Sequence, residues 1–301
     1  MPRKELTQDI VLQWVSLVSG TFNTRQAWNE LNIRTPEGKH YLRECLSRLA
    51  EAGVITKTDV DGTFRRVDKE KKPMNWQAAE PDKYLPLILP FNLHKVCLIY
   101  PKSVIIVAGS KNEGKTGFLL SCILPNVDAF KVDLYNSETG PEQMKMRFEP
   151  LHVPSPAPFS VYERYDNFAD VIEPDHLSII DYLDFNSEVY LVGSEIDAIF
   201  RKLTTGCAII GLQKPPPSVM FTKSGKKKVI DRDLAYGGGF TAKRAVLYIS
   251  LSSHKLKLIY VKTPRNPKDH PNNMTWSYDF DDNGYFTNIQ RFYEIQEPED
   301  L

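Results

Sequence analysis

Apolar residues recur at helical spacing through the first fifty residues, and from about residue 96 they gather into short continuous runs. Leu6, Ile10, Trp14, Leu17 and Val18 predict a first helix, stopped by Gly20. Thr24 is placed to cap a short second helix that runs through Leu31. Pro36 opens a third helix, with Tyr41, Leu42, Cys45, Leu46 and Leu49 on its apolar face and Gly53 at its end. VITKTDVDGTFRRVD predicts two short strands around Asp61-Gly62, a pair that favours a type I′ hairpin. The charged and proline-studded stretch that follows reads as a linker. Beyond it, strands expected at 103–108, 131–137, 177–180, 208–212, 246–251 and 257–262 alternate with helices. Runs such as VIIVA and CAIIGL suit a sheet covered on both faces.

This pattern divides the chain into a small domain (1–72), a linker (73–95) and a larger α/β domain (96–301). The order helix, short helix, helix, hairpin resembles a winged-helix domain. Lys39, His40 and Arg43 fall on or near the exposed side of its third helix, where the resemblance implies contact with the DNA major groove.

Charge changes the picture more than composition does. The formal net charge is zero, yet residues 133–197 carry 14 acidic and three basic residues. Residues 214–232 reverse this, with six basic residues against Asp231 alone. A polyanionic partner must therefore meet a particular face, because the whole-molecule field does not favour it. No apolar run approaches the roughly 20 residues that span a bilayer, and MPRKELTQDI lacks the apolar segment of a secretory signal. Cys45, Cys97, Cys122 and Cys207 show no metal-site or disulfide spacing. A reduced, cytoplasmic protein without a membrane partner is the expectation.

The chemistry centres on SVIIVAGSKNEGKTGFLL. Gly109, Ser110, Lys111, Asn112, Glu113, Gly114, Lys115 and Thr116 form a full GxxxxGK[ST] phosphate loop, followed by Gly117, between a buried strand and a helix. Its glycines let backbone N–H groups turn inward around phosphates, at the positive end of the helix. Lys115 is the residue to reach the β- and γ-phosphates of ATP, and Thr116 the residue to hold Mg²⁺.

The elements that follow resemble, in order, the core motifs of RecA and the DnaB-type replicative helicases. KVDLYNSET ends in Glu138, where the resemblance implies the carboxylate that polarises the attacking water. LSIIDYLDF supplies Asp181 as the second metal-holding residue. CAIIGLQ ends in Gln213, which in those enzymes senses the γ-phosphate and signals to a nucleic-acid-binding loop. The basic segment with Lys214, Lys223, Lys226, Lys227 and Lys228 stands where that loop is expected. LKLIYVKTPRNPKD resembles the last core strand and its basic tip, which implies Lys262 and Arg265 as fingers acting on a neighbouring subunit's ATP. Here Pro264 separates the two. The resemblance covers about residues 95 to 290 and implies a RecA-like core that assembles as a hexamer or filament and holds single-stranded DNA in its channel. The winged helix lies outside it, and the combination resembles compact ATPases of phages, plasmids and other mobile elements.

Two functions compete. One is an oligomeric DNA-associated ATPase, such as a helicase or translocase or a related replication or recombination factor. The other is a nucleotide-gated switch that assembles on DNA without motor activity. DNA-stimulated hydrolysis separates them.

Overall fold

Side-chain caps start the first helices of this computed structural model, which describes residues 6–18, 20–69, 71, 73–183, 191–221 and 227–292. The Thr7 hydroxyl accepts from the Ile10 amide at the head of α1 (Gln8–Leu17). After β1 (Thr21–Asn23), α2 (Thr24–Glu30) is capped by Asn23, one residue before the expected Thr24, through a 2.8 Å bond from the Gln26 amide. α3 (Pro36–Glu51) has Thr35 as its cap and Pro36 in its first turn. β2 (Ile55–Lys57) and β3 (Thr63–Arg66) pair antiparallel, and β1 adds to the other edge of β3. Their turn differs from the expected type I′, which needs two left-handed residues. Residues 58–62 form a longer loop in which Gly62 takes φ 66° while Asp61 does not cross to positive φ. Phe22 joins the layers, edge-on to Trp14 at 5.0 Å and stacked on Phe64 at 5.9 Å. These elements belong to the first of two units, Met1–Ala79 and Glu80–Leu301.

In the second unit, strands alternate with helices: β4 (Ser103–Gly109), α4 (Lys115–Ser121), β5 (Val132–Asn136), α5 (Pro141–Phe148), β6 (Ser160–Glu163) and β7 (Leu177–Leu183). α6 (Leu191–Lys202), β8 (Cys207–Gln213), β9 (Ser218–Phe221), β10 (Lys227–Ile230) and α7 (Gly239–Ala242) follow. β11 (Ala245–Ser252), β12 (Lys255–Val261), β13 (Thr275–Phe280) and β14 (Phe286–Phe292) complete it. One nine-stranded sheet has the order β14-β13-β12-β11-β4-β8-β7-β5-β6. The strands from β11 to β6 run parallel, and β12 to β14 extend them antiparallel. β4 is buried along its whole length because α4 covers one face of the sheet and α6 the other. The result is a RecA-like α/β core in which β8 separates the phosphate-loop strand from the Asp181 strand.

Two features depart from the sequence pattern. Residues 80–95, expected within the linker, belong to the core: Leu87, Leu89, Phe91 and Leu93 are buried, and the Asn126 amide bonds both the N–H and the carbonyl of Ile88 at 2.8 Å. The β13–β14 hairpin was not expected at all. All four cysteines are buried and free. Among the described residues, no helix is long and apolar enough to cross a membrane.

Leu46 is fully buried between α3 and the rest of the small unit. Leu46→Ala should lower that unit's stability by about 2–5 kcal/mol, read by denaturant titration of its tryptophan fluorescence. A loss under about 1 kcal/mol would contradict this packing.

Candidate nucleotide site

β4 delivers the chain to Gly109, and residues 110–114 turn into α4. Gly114 takes φ 84°, and a Cβ there would come within 2.7 Å of the Phe280 ring. One turn on, a Cβ on Gly117 would stand 2.7 Å from the Gly284 carbonyl. Glycine is needed at Gly114 for its backbone and at both positions because the β13–β14 hairpin lies directly over the loop. The hairpin is tied down by the Tyr278 hydroxyl, which donates to the Glu113 carbonyl at 3.0 Å, and by rings of Phe91, Tyr278, Phe280 and Phe286 packed on one another.

Lys115 folds back along the loop. Its Nζ donates to the carbonyls of Gly109 (3.0 Å) and Ser110 (2.9 Å) and to Oε1 of Gln213 (3.0 Å). The Thr116 hydroxyl donates to Oδ1 of Asp181 at 3.2 Å. Ser137 fixes the top of β7, because its amide donates to the Asp181 carbonyl and its hydroxyl to the Tyr182 carbonyl, across a cis Asp181–Tyr182 peptide. Glu138, next in the chain, stands exposed at the rim. Lys111, Asn112, Gly114 to Gly117, Glu138 and Gln213 line one cavity of about 510 Å³. Residues far apart in sequence thus meet at one sheet edge.

Burial pushes the Lys115 ammonium below its usual range, with nearby Lys214 adding to this and Glu138, Asp181 and Glu113 opposing it. Burial likewise raises the Asp181 carboxyl to about 6, reinforced by Glu138 and opposed first by the Thr116 bond, then by Arg147 and Lys115. Ser110 Oγ is buried without a hydrogen-bond partner among the described residues. An anion beside Lys115 and a hard cation between the Thr116 hydroxyl and Asp181 carboxylate match this donor set.

With this geometry in view, no family model and no curated protein sequence matches the chain. Solved structures similar to it include the RadB recombinase, 12% identical over 64% of this chain and 92% of that one, with a TM-score of 0.40. Another is the ATPase domain of a helicase, 12% identical over 64% of this chain and 86% of that one, with a TM-score of 0.41.

The remaining sequence-predicted residues fare differently. Lys214, expected in a DNA-contacting loop, is fully buried, with its ammonium 3.0 Å from the Ser250 hydroxyl and 3.3 Å from Asp231. It ties the segment before β9 to the segment after β10 and is closed to a strand of DNA. Lys227 and Lys228 lie on β10, which pairs with β9, and Lys223 and Lys226 fall outside the described residues. In the small unit, Lys39 and Arg43 approach the ring of Trp28 at 4.9 and 5.3 Å, and exposed His40 sits 3.3 Å from Glu44.

Lys262 and Arg265 are not at the phosphate loop of their own chain. The Lys262 amide bonds the Val246 carbonyl, at the far end of β11 from the loop. The seven residues of β4 put about 20 Å between them. The Arg265 guanidinium donates to the His94 carbonyl and the Tyr84 hydroxyl and stacks on Tyr84 at 4.8 Å, while the Lys262 ammonium has no partner among the described residues.

Two contributors escaped the sequence reading. Arg147, in the last turn of α5, lines the cavity. It follows Glu138 by nine residues, a spacing that returns a helix beginning near Glu138 to the same rim. The hairpin turn, Asp281 to Tyr285, closes the other side, and its Asp-Asn-Gly wording between aromatic-rich strands is an ordinary turn signal.

The Asp181 shift makes a signed prediction. A carboxyl whose folded value lies above its unfolded value favours the folded chain less once it ionises. Asp181→Asn should therefore leave stability of the ligand-free chain unchanged near pH 4 and raise it progressively up to about pH 6, with a constant gain above. Thermal melts from pH 4 to 8 test this, and a gain largest at low pH would contradict it.

Proposed function

We propose that the chain is an ATP-hydrolysing, RecA-like P-loop ATPase that works on DNA as an oligomer. The observation that carries the reading is the meeting of Lys115, Thr116, Asp181, Glu138 and Gln213 around one cavity. Residues 109–117 wrap the phosphates, and Lys115 exchanges its carbonyl contacts for phosphate oxygens. Thr116 and Asp181 would hold Mg²⁺, which offsets phosphate charge when bound. Glu138 orients a water and takes its proton as the water oxygen attacks the γ-phosphorus. The bond between that phosphorus and the bridging oxygen breaks, and ADP and inorganic phosphate are the products. Arg147, at the same rim, adds a second cation for the charge that develops on the departing phosphates.

Gln213 suits a sensor. Its side chain touches Lys115, and its carbonyl accepts from the Tyr236 amide at 3.0 Å, beyond the β9–β10 hairpin. A change at the phosphates thus reaches the segment that carries Lys227 and Lys228. We assign that basic segment to single-stranded DNA in a ring or filament, and the Lys39, Arg43 and Trp28 cluster of a winged-helix domain to duplex DNA or a partner. Lys262, with a free ammonium, is the better candidate to act on a neighbour's ATP, and Arg265 shapes the edge that carries it. A role as a replication or recombination factor of a mobile element fits this set of parts.

Lys115→Ala should weaken ATP binding at least tenfold, whereas Glu138→Gln should keep binding and lose hydrolysis by about 10²-fold or more. Equilibrium titration with a fluorescent ATP analogue and a phosphate-release assay read the two separately. Normal turnover in either variant would overturn the site. The functional test is steady-state hydrolysis with and without single-stranded and duplex DNA. Stimulation by DNA supports the ATPase reading, and tight ATP binding without turnover would replace it with a nucleotide-gated switch.

Lys262→Ala should lose turnover by about 10³-fold and regain part of it on mixing with Lys115→Ala subunits, since each supplies what the other lacks. Mixtures no more active than their components would rule out a shared centre.

A further inference from the structure

At the sheet edge opposite the phosphate loop, a cavity of about 660 Å³ opens beside the first residues of β4 and β11. Lys102, Lys243, Arg244 and Lys262 line it around Phe200 and Tyr260. Arg244 is held by Asp197 at 2.5 Å, and together with Lys102 it packs on the Phe200 ring. The ammonium groups of Lys243 and Lys262 are exposed and have no partner among the described residues. Asp197 is thus the one acid paired to a cation of this cavity among the described residues, and a surplus of positive charge faces outward.

The β13–β14 turn has the opposite character. Asp281 and Asp282 are exposed, and the Asp282 carboxylate has no partner among the described residues. Oδ1 of Asp281 accepts the amides of Asn283 (2.9 Å) and Tyr285 (2.8 Å), which fixes the shape of the turn. The Tyr285 hydroxyl pins the turn to the Arg147 carbonyl at 2.5 Å. This is a rigid acidic knob at the mouth of the cavity that holds Lys115.

One chain therefore carries unlike-charged surfaces on opposite edges of its sheet, too far apart to meet within a copy. Such surfaces pair head to tail between copies, in a heterologous contact that closes into a ring or continues as a filament. We propose that the Asp281–Asp282 turn of one copy docks in the cavity lined by Lys102, Lys243, Arg244 and Lys262 of the next. The occupant is a second copy of this chain, selected by charge complementarity and by the fit of a preformed turn. Docking there carries Lys262 to the mouth of the neighbour's phosphate cavity. That last consequence rests on the nucleotide-site reading, whereas the contact itself does not.

A charge exchange tests the contact. One variant carries Asp281→Lys and Asp282→Lys, and the other carries Lys102→Glu and Lys243→Glu. Each alone should self-associate at least tenfold more weakly than the unaltered chain, measured by sedimentation velocity over a concentration series at low salt. An equimolar mixture should recover the unaltered assembly, because an altered turn then meets an altered cavity while unaltered surfaces still pair. Matching circular dichroism and retained binding of a fluorescent ATP analogue show that each variant is folded with its phosphate loop intact. Undiminished association of either variant, a mixture that stays dissociated, or an unaltered chain that remains monomeric would overturn the proposal. It would equally fall if the Lys102/Lys243 variant lost affinity for a single-stranded oligonucleotide while its assembly was unchanged. Loss of ATP-analogue binding by the unaltered chain would instead count against the nucleotide-site reading.

Discussion

Parallel pairing in register between β4, β8, β7 and β5 decides where every candidate group lies. Gly109 pairs opposite Gln213, and Asn136 opposite Asp181, so four chain segments end at one edge with their next residues aimed at the same space. Crossovers that place helices on both faces make such a sheet possible, and burial on both faces makes slippage costly, since the runs are apolar throughout. A slip of β8 by one residue would remove Gln213 from Lys115 and reverse its two faces.

On that frame the local chemistry is a competition for Lys115. With two loop carbonyls and Gln213 as partners, the buried ammonium is satisfied, and burial still pulls its proton affinity down. A polyphosphate offers stronger, charge-assisted acceptors, so the exchange of partners couples occupancy of the cavity to the position of Gln213. The same low-dielectric surroundings raise Asp181, and a cation bound there would stabilise its ionised form.

How legible this was in the sequence varied with the range of the interaction. The phosphate loop, Asp181 and Gln213 each follow a short buried strand and announce themselves locally, and the structure brings them together. Helix and strand positions followed from apolar spacing, with Asn23 in place of Thr24 as a cap because both side chains suit the role and the backbone selects one. What escaped depended on distant partners. Lys214 reads as one more cation in a basic tract, yet Ser250 and Asp231 bury it. The leucines of residues 85–93 sit among prolines and charges that signal a linker, and only the sheet face they cover shows them to be core. The β13–β14 hairpin has plain turn chemistry, but nothing in its residues tells that its rings lie on Gly114 and its Gly284 carbonyl on Gly117. Lys262 and Arg265 looked equivalent until Tyr84 and His94 claimed the arginine.

The central claim is that the phosphate loop and the hairpin above it form one nucleotide site. Hydrogen–deuterium exchange with and without a non-hydrolysable ATP analogue and Mg²⁺ tests it most directly. The account predicts that the analogue slows exchange together at residues 109–117 and 281–286 while leaving α3 unchanged. Slowing at neither segment, or at the loop with the hairpin unaffected, would contradict it.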